Sequence, residues 1–448
     1  MHFSKFINSI KKYTQQLEKI YITVFVAMLG FCVFFRHGVE HSRYILVGLT
    51  ILFAVTNKSK FNNIWKSNSF LALLSFFAAA LTSLILNSQS LSHIDEVINW
   101  IAIFIFGYVA SAITQEKNDR FILVIPIALL GAVVIFPVLT GAGWSHLNIL
   151  SEERLTLFFE QRANHLGLIC GMFAFATSYY GANNKGWMRT ASFLLSGTCL
   201  FLLFRTAARA SFLGTALIFT GWLLWKAQKM RKQMLLAISI ISICTLVALF
   251  YTPLKNNRII SSVTIGLKED LSFLQRFFTW NVAYTNFTQQ PIFGRGFDTF
   301  RDQYAEEMKK YKKDQAYQKQ FPHTIPTTNN AHNFFLHLLA ETGITGLLAM
   351  LLFWGTVVRK GIRNGNAISP AVAGMFLISL IAFQMNMSMY GQQISTILFA
   401  FAGLSSYPPK NDINELPTQT KAASLNTSAN HQHAPRPRST SPGVLRRI

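Results

Sequence analysis

Four polar groups break an otherwise apolar chain, and their residue types suggest one chemistry. The first is Arg154, Arg162, Asn164 and His165 in the run SEERLTLFFEQRANH. Arg205 and Arg209 follow in FRTAARASF, then Arg276 and Trp280 in QRFFTW, with Gly294, Arg295 and Gly296 in PIFGRGF. The last is His332 and Asn333, within NNAHNFFLHLLAETGITG. A guanidinium forks onto phosphate oxygens and stays charged at every relevant pH. One Arg at a span end can snorkel to the headgroups, but Arg at a span centre costs about 2.5–3.5 kcal/mol. Several on one face therefore point to a phosphate or diphosphate carried on a lipid, and the GRG turn offers a flexible backbone able to approach it. His332 has two readings: a helix cap or interface residue, or a general base at the water boundary. Asn333 beside it could orient a hydroxyl or a sugar. His337, five residues on, faces another side of the helix and reads as structural, and Gly343 and Gly346 read as close-packing positions.

The elements that must hold these groups are membrane helices. Of the 448 residues 51% are hydrophobic and only 13% charged, which excludes a soluble enzyme. A span takes about 20 mostly apolar residues. Candidates lie near 20–35, 44–56, 69–86, 98–113, 121–140, 165–180, 190–204, 211–225, 235–252, 333–358, 366–383 and 392–407. The fold class is thus an all-α polytopic membrane protein of about 12 transmembrane helices. No small-residue cleavage site follows the first apolar run, so it reads as a retained anchor.

Net charge is +22, which on a soluble chain would suggest nucleic acid. Its placement says otherwise. With the N-terminus in the cytoplasm and sides alternating, the inner segments hold 24 basic and 5 acidic residues, and the outer ones 17 and 14. So 19 of the 22 units obey the rule that cytoplasmic loops are Lys/Arg-rich, and both termini lie inside. No nucleic-acid partner is needed.

Residues 1–251 then carry spans one to nine, 252–331 a large outer loop, 332–407 spans ten to twelve, and 408–448 a disordered cytoplasmic tail. In the loop, LKEDLSFLQRFFTWNVAYTNF reads as an amphipathic helix ending near Pro291, and DTFRDQYAEEMKKYKKDQAYQKQ as a second, polar helix. Cys32, Cys170, Cys199 and Cys244 all fall in apolar runs and read as packing residues. The outer segments contain no D-x-D, H-E-x-x-H or P-loop, so Arg rather than a metal is expected to neutralise a departing diphosphate.

Taken in order, R-A-S (Arg209), R-x-x-x-W (Arg276, Trp280), P-x-x-G-x-G (Pro291, Gly294, Gly296), H-N-x-x-L (His332, Asn333, Leu336) and E-x-G-x-x-G (Glu341, Gly343, Gly346) resemble the O-antigen ligase and polymerase superfamily of bacterial inner-membrane glycosyltransferases. The resemblance covers about residues 20–407 and implies a GT-C-like fold with its active site facing the periplasm. It implies transfer of a polysaccharide from undecaprenyl diphosphate to a lipid A–core sugar hydroxyl, with inversion and without cofactor or metal. His332 would then be the base, and Arg154, Arg209 and Arg276 would hold the diphosphate. Arg162, Arg205, Trp280, Arg295 and Asn333 complete the expected binding set. An O-antigen polymerase and a protein O-oligosaccharyltransferase share the motifs; length and the single compact loop favour ligase. A lipid or sugar transporter would place ionisable groups near the midplane, where this chain has almost none.

Overall fold

The computed structural model describes residues 67–87, 97–102, 118–141, 163–227, 274–324, 330–363, 368–384 and 392–405, with short stretches and single positions elsewhere. Spans near 44–56 and 235–252, the loop before residue 274, Arg154, Arg162, Cys32, Cys244 and the tail fall wholly or mainly outside the described residues. Among those described, the regular structure is helical: α1 (Asn68–Leu86), α2 (Val124–Thr140), α3 (Ala163–Asn183), α4 (Gly186–Thr206), α5 (Arg209–Ala227), α6 (Arg276–Gln289), α7 (Phe300–Lys313), α8 (Gln315–Gln320), α9 (Phe334–Arg363), α10 (Ile368–Phe383) and α11 (Gln392–Ser405). Four helices, Asn68–Leu86, Arg120–Thr140, Gly186–Thr206 and Phe334–Arg363, are long and apolar enough to cross a membrane.

Small residues set how closely these helices approach. A Cβ on Gly167 of α3 would overlap Ala208 and Thr206, and one on Gly171 would overlap Thr215. The Ser178 and Ser196 hydroxyls pair at 2.7 Å between α3 and α4, a useful contact where water is scarce. Cys170 and Cys199 are buried in this packing, as expected.

Contacts sort the helix termini into two ends. At one end Lys360 of α9 donates to Ser67 at 2.7 Å, and Gly361 abuts Ser369 and Ala373 at the start of α10. At the other, Asn87 after α1 donates to the Gly294 carbonyl at 3.1 Å, and Gly214 of α5 meets Ile378 and Ile381 near the end of α10. The α4–α5 turn and the start of α3 join this second end through Gly167. Arg205, Arg209, Gly294 and the α9 head are therefore all gathered at the end that carries the loop.

The apolar run 333–358, read from sequence as one span, is not one helix. Gly343 has φ 63° and ψ −163°, which ends one helix and starts another. In a straight helix Phe334 and Trp354 would stand about 30 Å apart at 1.5 Å per residue. Their rings stack at 5.6 Å, so residues 334–342 fold back beside 344–363. Only the second segment has the length to cross.

A reversal leaves backbone groups at the two helix ends without partners inside their own helices. The segment after α6 supplies them. Arg295 N donates to Ala340 O at 2.9 Å and Gly296 N to Glu341 O at 3.0 Å. In return Ile344 N donates to Pro291 O at 2.9 Å and Thr345 N to Ile292 O at 3.2 Å. Gly294 (φ 68°) and Gly343 are each so close to the opposite strand of backbone that a Cβ would overlap it. The GRG turn, expected to be a flexible ligand cradle, is a lock on the broken helix.

The loop forms a small cap. Phe278 of α6 sits among Tyr304, Tyr311, Tyr317 and Phe321, with ring centroids at 5.1 to 5.6 Å. The expected polar helix divides at Asp314, whose carboxylate accepts from Ala316 N and Tyr317 N and so caps α8. Phe297 inserts from the cap into the bundle, against Phe76 and Trp100.

Candidate functional site

His332 occupies a turn that its sequence works to hold. Its φ is 51°, a left-handed value rarely taken by a residue with a Cβ and often found at functional positions. Asn330 Oδ1 accepts from the His332 backbone N at 2.9 Å, and Thr328 Oγ1 donates to the Asn330 carbonyl at 2.9 Å. Asn333 Oδ1 accepts from Leu336 N at 3.1 Å, which makes Asn333 the N-cap of α9. Its oxygen is committed to the helix, leaving the amide NH2 as the group able to meet a hydroxyl. A capping residue just before an apolar run was legible from sequence.

Two acid–base groups lie behind this turn. His337 and Glu341 are buried, at 3% and 1% exposure, one helical turn apart. His337 Nδ1 accepts from Ala331 N at 3.2 Å, so that nitrogen carries no proton and the ring is the neutral Nε2–H tautomer. Nε2 faces Glu341 Oε1 at 3.3 Å. The same oxygen accepts from Phe300 N at 3.0 Å, placing a carboxylate on the N-terminus of α7. Glu341 Oε2 is buried and accepts no hydrogen bond among the described residues. The H-x-x-x-E spacing inside an apolar run was the sequence signal for this pair.

The arginines differ in accessibility. Arg276 opens α6, whose N-terminus has no side-chain cap, and is 9% exposed. Trp280 follows one turn later, half-buried, edge-on to Phe277 at 5.8 Å. Arg209 opens α5 and is half-buried. A helix N-terminus presents free N–H groups and a positive dipole end, so both arginines stand where an anion is already favoured. Arg205, in the last turn of α4, is buried at 2% exposure. Between it and Arg209 the chain turns through Ala207 at φ 50°. Arg295 is held by its neighbours, Asn286 Oδ1 at 2.6 Å and Glu306 Oε2 at 3.2 Å. A ligand phosphate would have to share it.

The cap is pinned beside the site. Asp298 (φ 60°) and Asp302 approach the two ring nitrogens of His93, each at 3.4 Å. The three non-glycine residues with positive φ among those described, Ala207, Asp298 and His332, all lie at this end. No three His, Cys, Asp or Glu side chains among the described residues are grouped as metal ligands.

Residues 191–351 match the family described as O-Antigen ligase. The match runs from α4 through the cap and past the break at Gly343. It encloses Arg205, Arg209, Arg276, Trp280, Arg295, His332 and Asn333, and leaves Arg154 and Arg162 outside. No curated protein matches the chain. Residues 191–351 are thus similar to the O-antigen ligase family, in a chain whose described residues include four helices long and apolar enough to cross a membrane.

Proposed function

We propose that the chain is an inner-membrane glycosyltransferase that moves O-antigen polysaccharide from undecaprenyl diphosphate to a sugar hydroxyl of lipid A–core. The observation that carries this reading is His332, held in a left-handed turn where the cap meets the bundle. His332 takes the proton of the acceptor hydroxyl, whose oxygen attacks the anomeric carbon from the face opposite the lipid. The glycosidic bond to the diphosphate breaks with inversion, and the electron pair leaves on the diphosphate. Arg276 and Arg209, each opening a helix at the same end, stabilise that charge, with Arg154 and Arg162 as further ligands. Arg205 and Arg295 support from deeper in the bundle and from the cap. Trp280 offers an indole face to a sugar, and the Asn333 amide a donor to a hydroxyl. Protein groups already oriented toward developing charge need no reorganisation during the reaction.

Twelve spans with both termini in the cytoplasm would put this end in the periplasm, where polymerised glycan and lipid A–core meet. A deletion strain tests the assignment through its lipopolysaccharide banding. Loss of the whole ladder, with lipid-linked polymer accumulating, is the expected result. A core bearing a single repeat would instead identify a polymerase, and unchanged banding would refute both.

A further inference from the structure

The His337–Glu341 pair has no role in the transfer step as written, yet it is built into the turn that presents His332. Ala331 N donates to His337 Nδ1, and this bond fixes the Asn330–Ala331 peptide, one residue ahead of His332. Nε2 of the same ring faces the buried Glu341 carboxylate, which also holds Phe300 N at the start of α7. The Phe300 ring lies against the His337 ring, with centroids at 5.1 Å. The carbonyl of Glu341 accepts from Ser83 of α1 at 2.6 Å and from Gly296 N. Glu341 thus joins α1, the cap and the broken helix, and His337 passes that position on to the turn.

We propose that Glu341 and His337 are positioning residues that hold the His332 turn through the Ala331 backbone. The inference rests on His332 being the base. His337 acts as a fixed acceptor, not as a second base, because Nδ1 is occupied by a backbone N–H and Nε2 faces a carboxylate. Without the pair, the left-handed turn has one fewer bond against its strain, and the imidazole swings away from the acceptor hydroxyl. A misplacement of about 1 Å costs on the order of 100-fold in rate.

Substitutions at 337 separate positioning from bulk packing. Asparagine can place an oxygen near the Nδ1 position, whereas glutamine places its amide near Nε2 and leaves Ala331 N without an acceptor. The full chain in nanodiscs is assayed with undecaprenyl-diphosphate-linked polysaccharide and rough lipopolysaccharide. His337→Gln and Glu341→Ala should lower kcat by about tenfold to 100-fold, with donor and acceptor KM within about twofold. His337→Asn should recover most of the loss. Equal loss in His337→Asn and His337→Gln, a loss confined to KM, or wild-type kcat in Glu341→Ala would each overturn the proposal. His332→Ala is run alongside. Its activity would sink the base reading itself, whereas an inactive His332→Ala with an active His337→Gln would sink only the positioning role.

Discussion

Ala331 and Phe334 stand three residues apart and belong to different cores. Ala331 is buried with Phe278, Tyr304 and Met308 in the cap, while Phe334 is buried in the bundle against Trp354 and Phe383. His332 and Asn333 are the two residues between. The candidate base therefore sits on the seam of two separately packed bodies of side chains, anchored on both sides. A seam of this kind can be fixed in geometry and still open to a ligand.

His332→Ala should abolish glycan transfer while membrane insertion and donor binding persist. A positioned general base contributes roughly 10²- to 10⁴-fold in rate. Turnover with purified donor and acceptor, beside donor retention on the immobilised protein, checks it; full turnover would end the assignment.

Arg276→Lys should impair transfer although the charge is kept. A lost hydrogen bond to a charged group is worth about 1.5–3 kcal/mol, or tenfold to over a hundredfold. Arg295→Ala should act differently, because Arg295 ties Asn286 to Glu306. Its main effect should be a lower melting temperature of the cap, with a smaller change in donor KM than Arg276→Lys produces.

Gly343→Ala should destabilise the protein by at least about 1–3 kcal/mol, because φ 63° with ψ −163° is a conformation essentially confined to glycine. The new methyl would also overlap the Ile292 carbonyl, which is itself held by Thr345. Thermal unfolding in detergent reads the loss, and unchanged stability would contradict the reversal at this residue.

Burial pushes the Tyr304 and Tyr317 phenols up to about 12, and Glu307 adds to the effect at Tyr317. An unfolded phenol titrates near 10. Below about pH 10 both states keep the proton and stability does not change. Between about 10 and 12 the unfolded chain loses protons that the cap retains, so stability falls as pH rises. Phenolate absorbance and unfolding followed across this window should show both effects. Glu307→Gln should bring the Tyr317 titration down, since it removes the neighbouring negative charge.

Transfer should survive EDTA, with turnover in added magnesium as the comparison. Strict dependence on the metal would refute charge stabilisation by arginine alone.

Much of this arrangement could be read from residue order. The apolar runs at 69–86, 121–140, 190–204 and 211–225 are helices, and the amphipathic run after Gln275 ends before Pro291 as expected. Asp314 is a turn-forming residue with a cap's chemistry, yet it lay within a polar stretch where hydropathy gives no boundary. The reversal at Gly343 was hidden for the opposite reason. Both halves are apolar, so a hydropathy window sees one continuous span, and only a backbone angle that glycine permits marks the break. The H-x-x-x-E spacing marked Glu341 and His337 as a pair, but not their partners in α7 and at Ala331, which only the fold brings to them.

The reversal at Gly343 also bears on how the chain is made. An insertion machinery that responds to apolar length would meet residues 334–358 as a single segment. The finished protein needs residues 334–342 withdrawn and laid beside the helix that follows. The groups that accept this withdrawal, Pro291, Ile292, Arg295 and Gly296, precede it in the chain and emerge first. The backbone that holds residues 334–342 in place is therefore already translated when they emerge.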